Sequence, residues 1–150
     1  MIVIKGGRIV DPGRNIDAEG DVWLDGDKIK KVVLGGEHGE LTESAQVIDA
    51  AGKVVAPGLV DVHVHFRDPG FTYKEDIHTG AAAAAKGGFT TVVLMANTKP
   101  VVDNAETLNY VLEEGKKTGI NVLSTAAVSV GLKGQELTDM EALKAAGAAG

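Results

Sequence analysis

The sequence predicts an α/β protein in two parts: a small β segment over residues 1–56 and, over residues 57–150, the opening three strand–helix units of a parallel sheet. Three observations carry this. Short β-branched runs broken by Gly and Asp fill the first part. After Pro57-Gly58 the rhythm becomes strand, loop, helix, repeated. Each helical stretch then brings its own start and stop signals.

The β runs of the first part are Ile2-Val3-Ile4, Arg8-Ile9-Val10, Asp21-Val22-Trp23-Leu24, Lys28-Ile29-Lys30-Lys31-Val32-Val33, Gln46-Val47-Ile48-Asp49 and Lys53-Val54-Val55. Asp25-Gly26 joins two of them as a hairpin, because a tight turn needs positive φ that Asp and Gly tolerate. Together they read as an antiparallel unit with Trp23 in its core. Residues 35–44, rich in Gly and Glu, read as a loop, and His38 within it as a solvated histidine.

In the second part, residues 59–66 read as a strand and 75–86 as a helix, rich in alanine over 81–85 and closed by Gly87-Gly88. Residues 90–95 form a second strand. Residues 104–118 form a second helix with Asn104 as N-cap, Glu106 in its first turn and Gly119 at its end. Residues 121–127 are a third strand and 138–146 a third helix, with Thr138 as N-cap and Glu141 completing a capping box. Strands alternating with helices predict parallel pairing and right-handed crossovers. A three-stranded parallel sheet has two open edges and faces that need cover, so the expectation is the front of a longer chain. A closed barrel alone takes about 250 residues.

A formal net charge of -6 with no basic run argues against nucleic acid or an anionic membrane as partner. Hydrophobic content of 44% with 24% charged residues supplies a core and places the chain among globular proteins. No cysteine is present, which excludes disulfides and thiolate metal sites and suits a reducing cytosol. The N-terminus lacks an apolar signal stretch and no segment is long enough to span a membrane, so the expected location is cytoplasmic. The paired glycines do not form a GxGxxG turn, so no dinucleotide site is indicated.

The chemistry gathers in Asp61-Val62-His63-Val64-His65-Phe66-Arg67-Asp68-Pro69-Gly70. His63 and His65 are two apart, so on a strand both imidazoles emerge on one face. Near the C-terminal end of a strand that opens a βαβ series, where such folds place their sites, the pair reads as metal ligands. The competing reading is two histidines satisfied by local hydrogen bonds. Imidazole suits Zn²⁺, with Mn²⁺, Fe²⁺ and Co²⁺ also allowed. Arg67, in the loop that follows, offers a planar fork for a carboxylate, or is a surface arginine paired with Asp68 or Glu75. Asn97, in the equivalent loop after the second strand, can donate to the same anion or serve as a turn residue. Asp61 is a candidate to orient an imidazole, or a loop cap. His78 faces solvent or a neighbouring helix.

These residues resemble a known family. The run Val55-Ala56-Pro57-Gly58-Leu59-Val60 continuing through Gly70 is similar to the opening signature of the cyclic amidohydrolases, and in this form to dihydroorotases of the longer-chain bacterial type. The likeness extends through Tyr73-Lys74-Glu75-Asp76, Gly87-Gly88-Phe89-Thr90-Thr91-Val92 and Met95-Ala96-Asn97-Thr98-Lys99-Pro100. Allantoinases and hydantoinases share the His-x-His opening, and Arg67 is what tilts the resemblance to dihydroorotase. It implies the N-terminal part of a (β/α)8 TIM barrel, preceded by a small β-sandwich segment that C-terminal residues complete. His63 and His65 would bind zinc, one ion or two, while Arg67 and Asn97 would hold the carboxylate of dihydroorotate.

The implied reaction is reversible hydrolysis of dihydroorotate to N-carbamoyl-aspartate in pyrimidine biosynthesis, with metal activating water and polarising the scissile carbonyl. The remaining ligands and the aspartate general base are expected beyond Gly150, so no catalytic residue falls within these 150 residues, and the stretch alone is expected to be inactive. The alternatives are a hydantoinase or allantoinase, or a non-catalytic structural subunit. A second copy of the chain and aspartate carbamoyltransferase are candidate partners.

Overall fold

Connection length sets strand direction in the first unit, Met1–Pro57. The computed structural model describes residues 1–35 and 44–150. Strand β1 (Ile2–Asp11) turns through residues 12–15 into β2 (Ile16–Asp25), and β2 turns through Gly26-Asp27 into β3 (Lys28–Leu34). Both connections are short, so both pairings are antiparallel, with Asp25 opposite Lys28 at the hairpin. Strands β4 (Gln46–Asp49) and β5 (Val54–Val55) instead pair parallel with β1. The expected antiparallel unit is therefore a mixed sheet. β3 ends at Leu34 and β4 begins at Gln46, so the two strands are not joined by a tight hairpin. The readings of residues 35–44 as a loop and of His38 as solvated fall largely on residues 36–43, outside the described residues.

The expected separate strands at Ile2-Val3-Ile4 and Arg8-Ile9-Val10 are one strand interrupted by a bulge between Ile4 and Gly7. Gly6 sits there at φ 71, and its N–H donates to the buried Asp21 carboxylate at 2.8 Å. A bulge frees a backbone group from the ladder, and this one finds a side-chain acceptor. Among the described residues Val3, Ile9, Val22, Trp23 and Ala50 are the buried apolar ones, with Lys31 Nζ lying 4.1 Å from the Trp23 ring centroid.

The second unit, Gly58–Gly150, is a parallel three-stranded sheet ordered β6 (Leu59–Val64), β7 (Phe89–Leu94), β8 (Asn121–Ser124). Helices α1 (Ile77–Lys86), α2 (Ala105–Lys116) and α3 (Met140–Ala145) follow the three strands in turn. Local chemistry explains where each helix starts. Asp76 caps α1 by accepting from the Thr79 N–H at 2.8 Å, and Asn104 caps α2 through the Thr107 N–H at 2.9 Å. The expected Thr138 cap of α3 is not formed. Asp139 accepts from the Ala142 N–H, while the Thr138 hydroxyl donates back to the Ala127 carbonyl at 2.7 Å. Thr138 is buried, and there a backbone acceptor serves its hydroxyl better than an exposed helix end.

Ile77, Leu94, Val102, Leu108 and Val111 are wholly buried between the helices and the sheet, each worth about 1.5–3 kcal/mol of apolar transfer. Phe66 extends this core just past the end of β6. It packs on α1 at Gly80, where an added Cβ would lie 2.5 Å from the Phe66 ring. Gly80→Ala is therefore expected to lower stability by about 1–3 kcal/mol, although alanine is the better helix former. A lowered urea midpoint with unchanged slope checks this. Among the described residues no helix is long and apolar enough to cross a membrane.

Candidate metal and anion site

Strand β6 ends at Val64, one residue before His65, rather than running to residue 66. The register with β7 slips between Asp61 and Val64, and the His63 N–H donates to the Asp61 carboxylate at 3.0 Å. Asp61 thus serves its own backbone two residues on, and among the described residues no imidazole is hydrogen-bonded to it. Such a bulge re-aims side chains at a strand end. The rings of His63 and His65 lie 5.2 Å apart between centroids at 63°, and both residues are exposed.

That separation suits one shared ion. Two imidazole nitrogens about 2.1 Å from a tetrahedral metal place their ring centroids about 5.3 Å apart. His65 is also held in one tautomer. Its Nδ1 donates to the Asn97 carbonyl oxygen at 2.9 Å, which leaves the Nε2 lone pair for a metal. The amide group of Asn97 then remains as a donor. Asn97 reaches His65 because the Met95 N–H donates to the Val64 carbonyl at 3.0 Å, seating the loop after β7 against the end of β6. The expected pairing of Asn97 with an anion alone is thus joined by a contact to His65.

A hollow of about 370 Å³ opens at this end of the sheet. Its walls are His63, His65, Met95 and Asn97 together with Thr125 and residues 126–129 and 132 from the segment after β8. That third segment is not legible as a site from sequence, since alanine, valine and leucine with single Thr and Ser hydroxyls carry no chemical signature.

Arg67 is not among these walls. It lies two residues past His65, half-buried, with the left-handed φ of 63. The reading of Arg67 as a surface ion pair is not met, because its candidate partners are engaged elsewhere. Asp68 accepts from the Ile77 N–H and the Tyr110 hydroxyl, and Glu75 accepts from the Asp76 N–H and the Thr79 hydroxyl. Among the described residues Arg67 has no carboxylate partner. His78 does contact a helix neighbour, its Nε2 lying 2.9 Å from Glu114 on α2. The Lys117 ammonium on the same carboxylate, together with that His78 contact, holds the Glu114 carboxyl below its ordinary range. Among the described residues no cluster of three or more His, Asp or Glu side chains is placed to hold a metal, so the imidazole pair is a partial ligand set.

The fold of this chain is matched among solved structures. The structure superposes on a D-hydantoinase from a Bacillus sp. AR9 with a TM-score of 0.67 at 26% identity, covering 86% of this chain and 27% of that one. The chain belongs to the dihydro-orotase-like family, whose profile matches residues 52–149. It is 58% identical over 150 residues to a dihydroorotase of Clostridioides difficile (strain 630) and 53% identical to one of Streptococcus thermophilus (strain CNRZ 1066), covering all of this chain. It spans 35% of the length of each of those relatives.

Proposed function

We propose that these 150 residues are the metal- and anion-binding front of a dihydroorotase, which interconverts dihydroorotate and N-carbamoyl-aspartate. The observation that carries this is the link from Asn97 to His65. It frees Nε2 of one imidazole beside a second, two residues before an arginine that has no carboxylate partner among the described residues. The identity to proteins named dihydroorotase supports the reading.

In this account His63 and His65 would hold zinc, one ion or two, which when bound would supply Lewis-acid polarisation of the scissile carbonyl and activation of water. Arg67 grips the substrate carboxylate and the Asn97 amide donates to it, fixing the ring for attack. Hydrolysis breaks the ring C–N bond: oxygen from water joins the carbonyl carbon and a proton goes to nitrogen. The general base and the remaining ligands come from chain outside these residues, as do the strands that complete a (β/α)8 barrel. Exposed apolar residues support the need for cover: Leu59, Val60 and Val62 on β6, and Val47, Ile48 and Val54 in the first unit, which we read as part of a β-sandwich.

The likeness to D-hydantoinase is consistent with a second reading, a related hydrolase of another cyclic amide. The deciding assay compares kcat/KM for dihydroorotate, hydantoin and allantoin with full-length protein. The proposal expects dihydroorotate to lead by at least about a hundredfold, since only it presents a carboxylate to Arg67. A lead for either uncharged ring would transfer the assignment to that substrate. Absence of turnover for all three would point to a structural subunit.

A further inference from the structure

Resting on the dihydroorotase reading, we propose that Tyr110 is a positioning residue for Arg67, acting through the buried carboxylate of Asp68. Arg67 has a φ of 63, a left-handed conformation that a residue with a side chain keeps only where its surroundings impose it. Its two neighbours impose it. Phe66 is buried against α1, and Asp68 is 4% exposed.

Asp68 has one carboxylate oxygen on each of two helices. Oδ2 accepts from the Ile77 N–H at the start of α1 at 3.3 Å, and Oδ1 accepts from the Tyr110 hydroxyl on α2 at 3.0 Å. The loop that carries Arg67 is thereby tied to both helices at one point. The rest of the loop is braced as well. The Phe71 N–H donates to the Arg67 carbonyl at 2.9 Å, and the Lys99 N–H of the Asn97 loop donates to the Pro69 carbonyl at 3.0 Å. Gly70, at φ 93, lies so close to the Lys99 carbonyl that an added Cβ would sit 1.9 Å from its oxygen.

Tyr110 is 43% exposed and lies outside the buried core, so its hydroxyl on Asp68 is not demanded by core packing. Burial of the hydroxyl and its bond to Asp68 push the Tyr110 phenol up to about 12, so it remains a donor throughout the working pH range. Tyr110→Phe removes the donor and little else. Asp68 then keeps only its long bond to Ile77, and Arg67 samples positions from which it no longer meets a carboxylate.

The test uses full-length protein and two readouts. Amide hydrogen exchange at Phe71, whose N–H is bonded to Arg67, is expected to accelerate in Tyr110→Phe while unfolding is unchanged. KM for dihydroorotate is expected to rise about three- to tenfold with kcat within about twofold, and the rise should vanish in an Arg67→Ala background because Tyr110 acts through Arg67. Asp68→Asn, which keeps a polar partner for both helices, should retain more affinity than Asp68→Ala. Unchanged exchange at Phe71, or a KM rise that persists without Arg67, overturns the inference. If the full-length protein does not turn over dihydroorotate, the functional reading fails, and exchange at Phe71 alone decides the role of Tyr110.

Discussion

His65→Ala in the full-length protein is expected to abolish tight zinc binding and to slow dihydroorotate turnover by more than about a thousandfold. An activated water and a polarised carbonyl are worth several kcal/mol, and each 1.4 kcal/mol is tenfold in rate. The residue is exposed and lies just beyond the end of β6, outside the buried core, so the fold should survive its loss. Metal content measured by elemental analysis and the unfolding midpoint together separate the two effects. Asn97→Ala should give a milder version of the same defect. It leaves both imidazoles but removes the acceptor on His65 Nδ1, and partners of this kind are worth about 10–100-fold in metal affinity. If His65→Ala retains zinc with undiminished affinity, the imidazole pair is not a metal site.

Arg67→Ala carries the second large effect, confined to substrate binding. A charge-assisted, two-pronged bond to a carboxylate is worth about 2–3 kcal/mol, so KM should rise by about 30- to 150-fold. Zinc content should not change, since Arg67 is not among the walls of the histidine hollow. Arg67→Lys should recover part of the loss, as a point charge replaces a planar fork. Loss of zinc along with KM would contradict the division of labour between the histidines and the arginine.

How much of this was legible in the sequence depended on whether the controlling interaction was local. Asn104 as a helix cap could be read because a cap acts over three residues, and its bond to the Thr107 N–H follows that spacing. The Asp25-Gly26 hairpin could be read because turn geometry is decided by the residues in the turn. The two histidines could be paired because strand spacing puts positions two apart on one face. What was missed involved partners distant in sequence or competing for the same atom. Parallel pairing of β4 and β5 with β1 joins strands more than 40 residues apart, which no local residue pattern encodes. Asp139 displaced Thr138 as the α3 cap because the Thr138 hydroxyl found the Ala127 carbonyl, 11 residues back. Asn97 reads as a loop amide suited to an anion, yet its oxygen meets His65, 32 residues away, and only the fold brings them together. The bond from Tyr110 to Asp68, 42 residues apart, left no sequence trace.

The most direct measurement is anomalous scattering at the zinc edge from crystals of the full-length protein soaked with N-carbamoyl-aspartate. The account predicts a peak about 2.1 Å from His65 Nε2 and equally close to a ring nitrogen of His63, with the ligand's carboxylate on Arg67 and the Asn97 amide. A peak away from both histidines, or a carboxylate held by neither Arg67 nor Asn97, would contradict it.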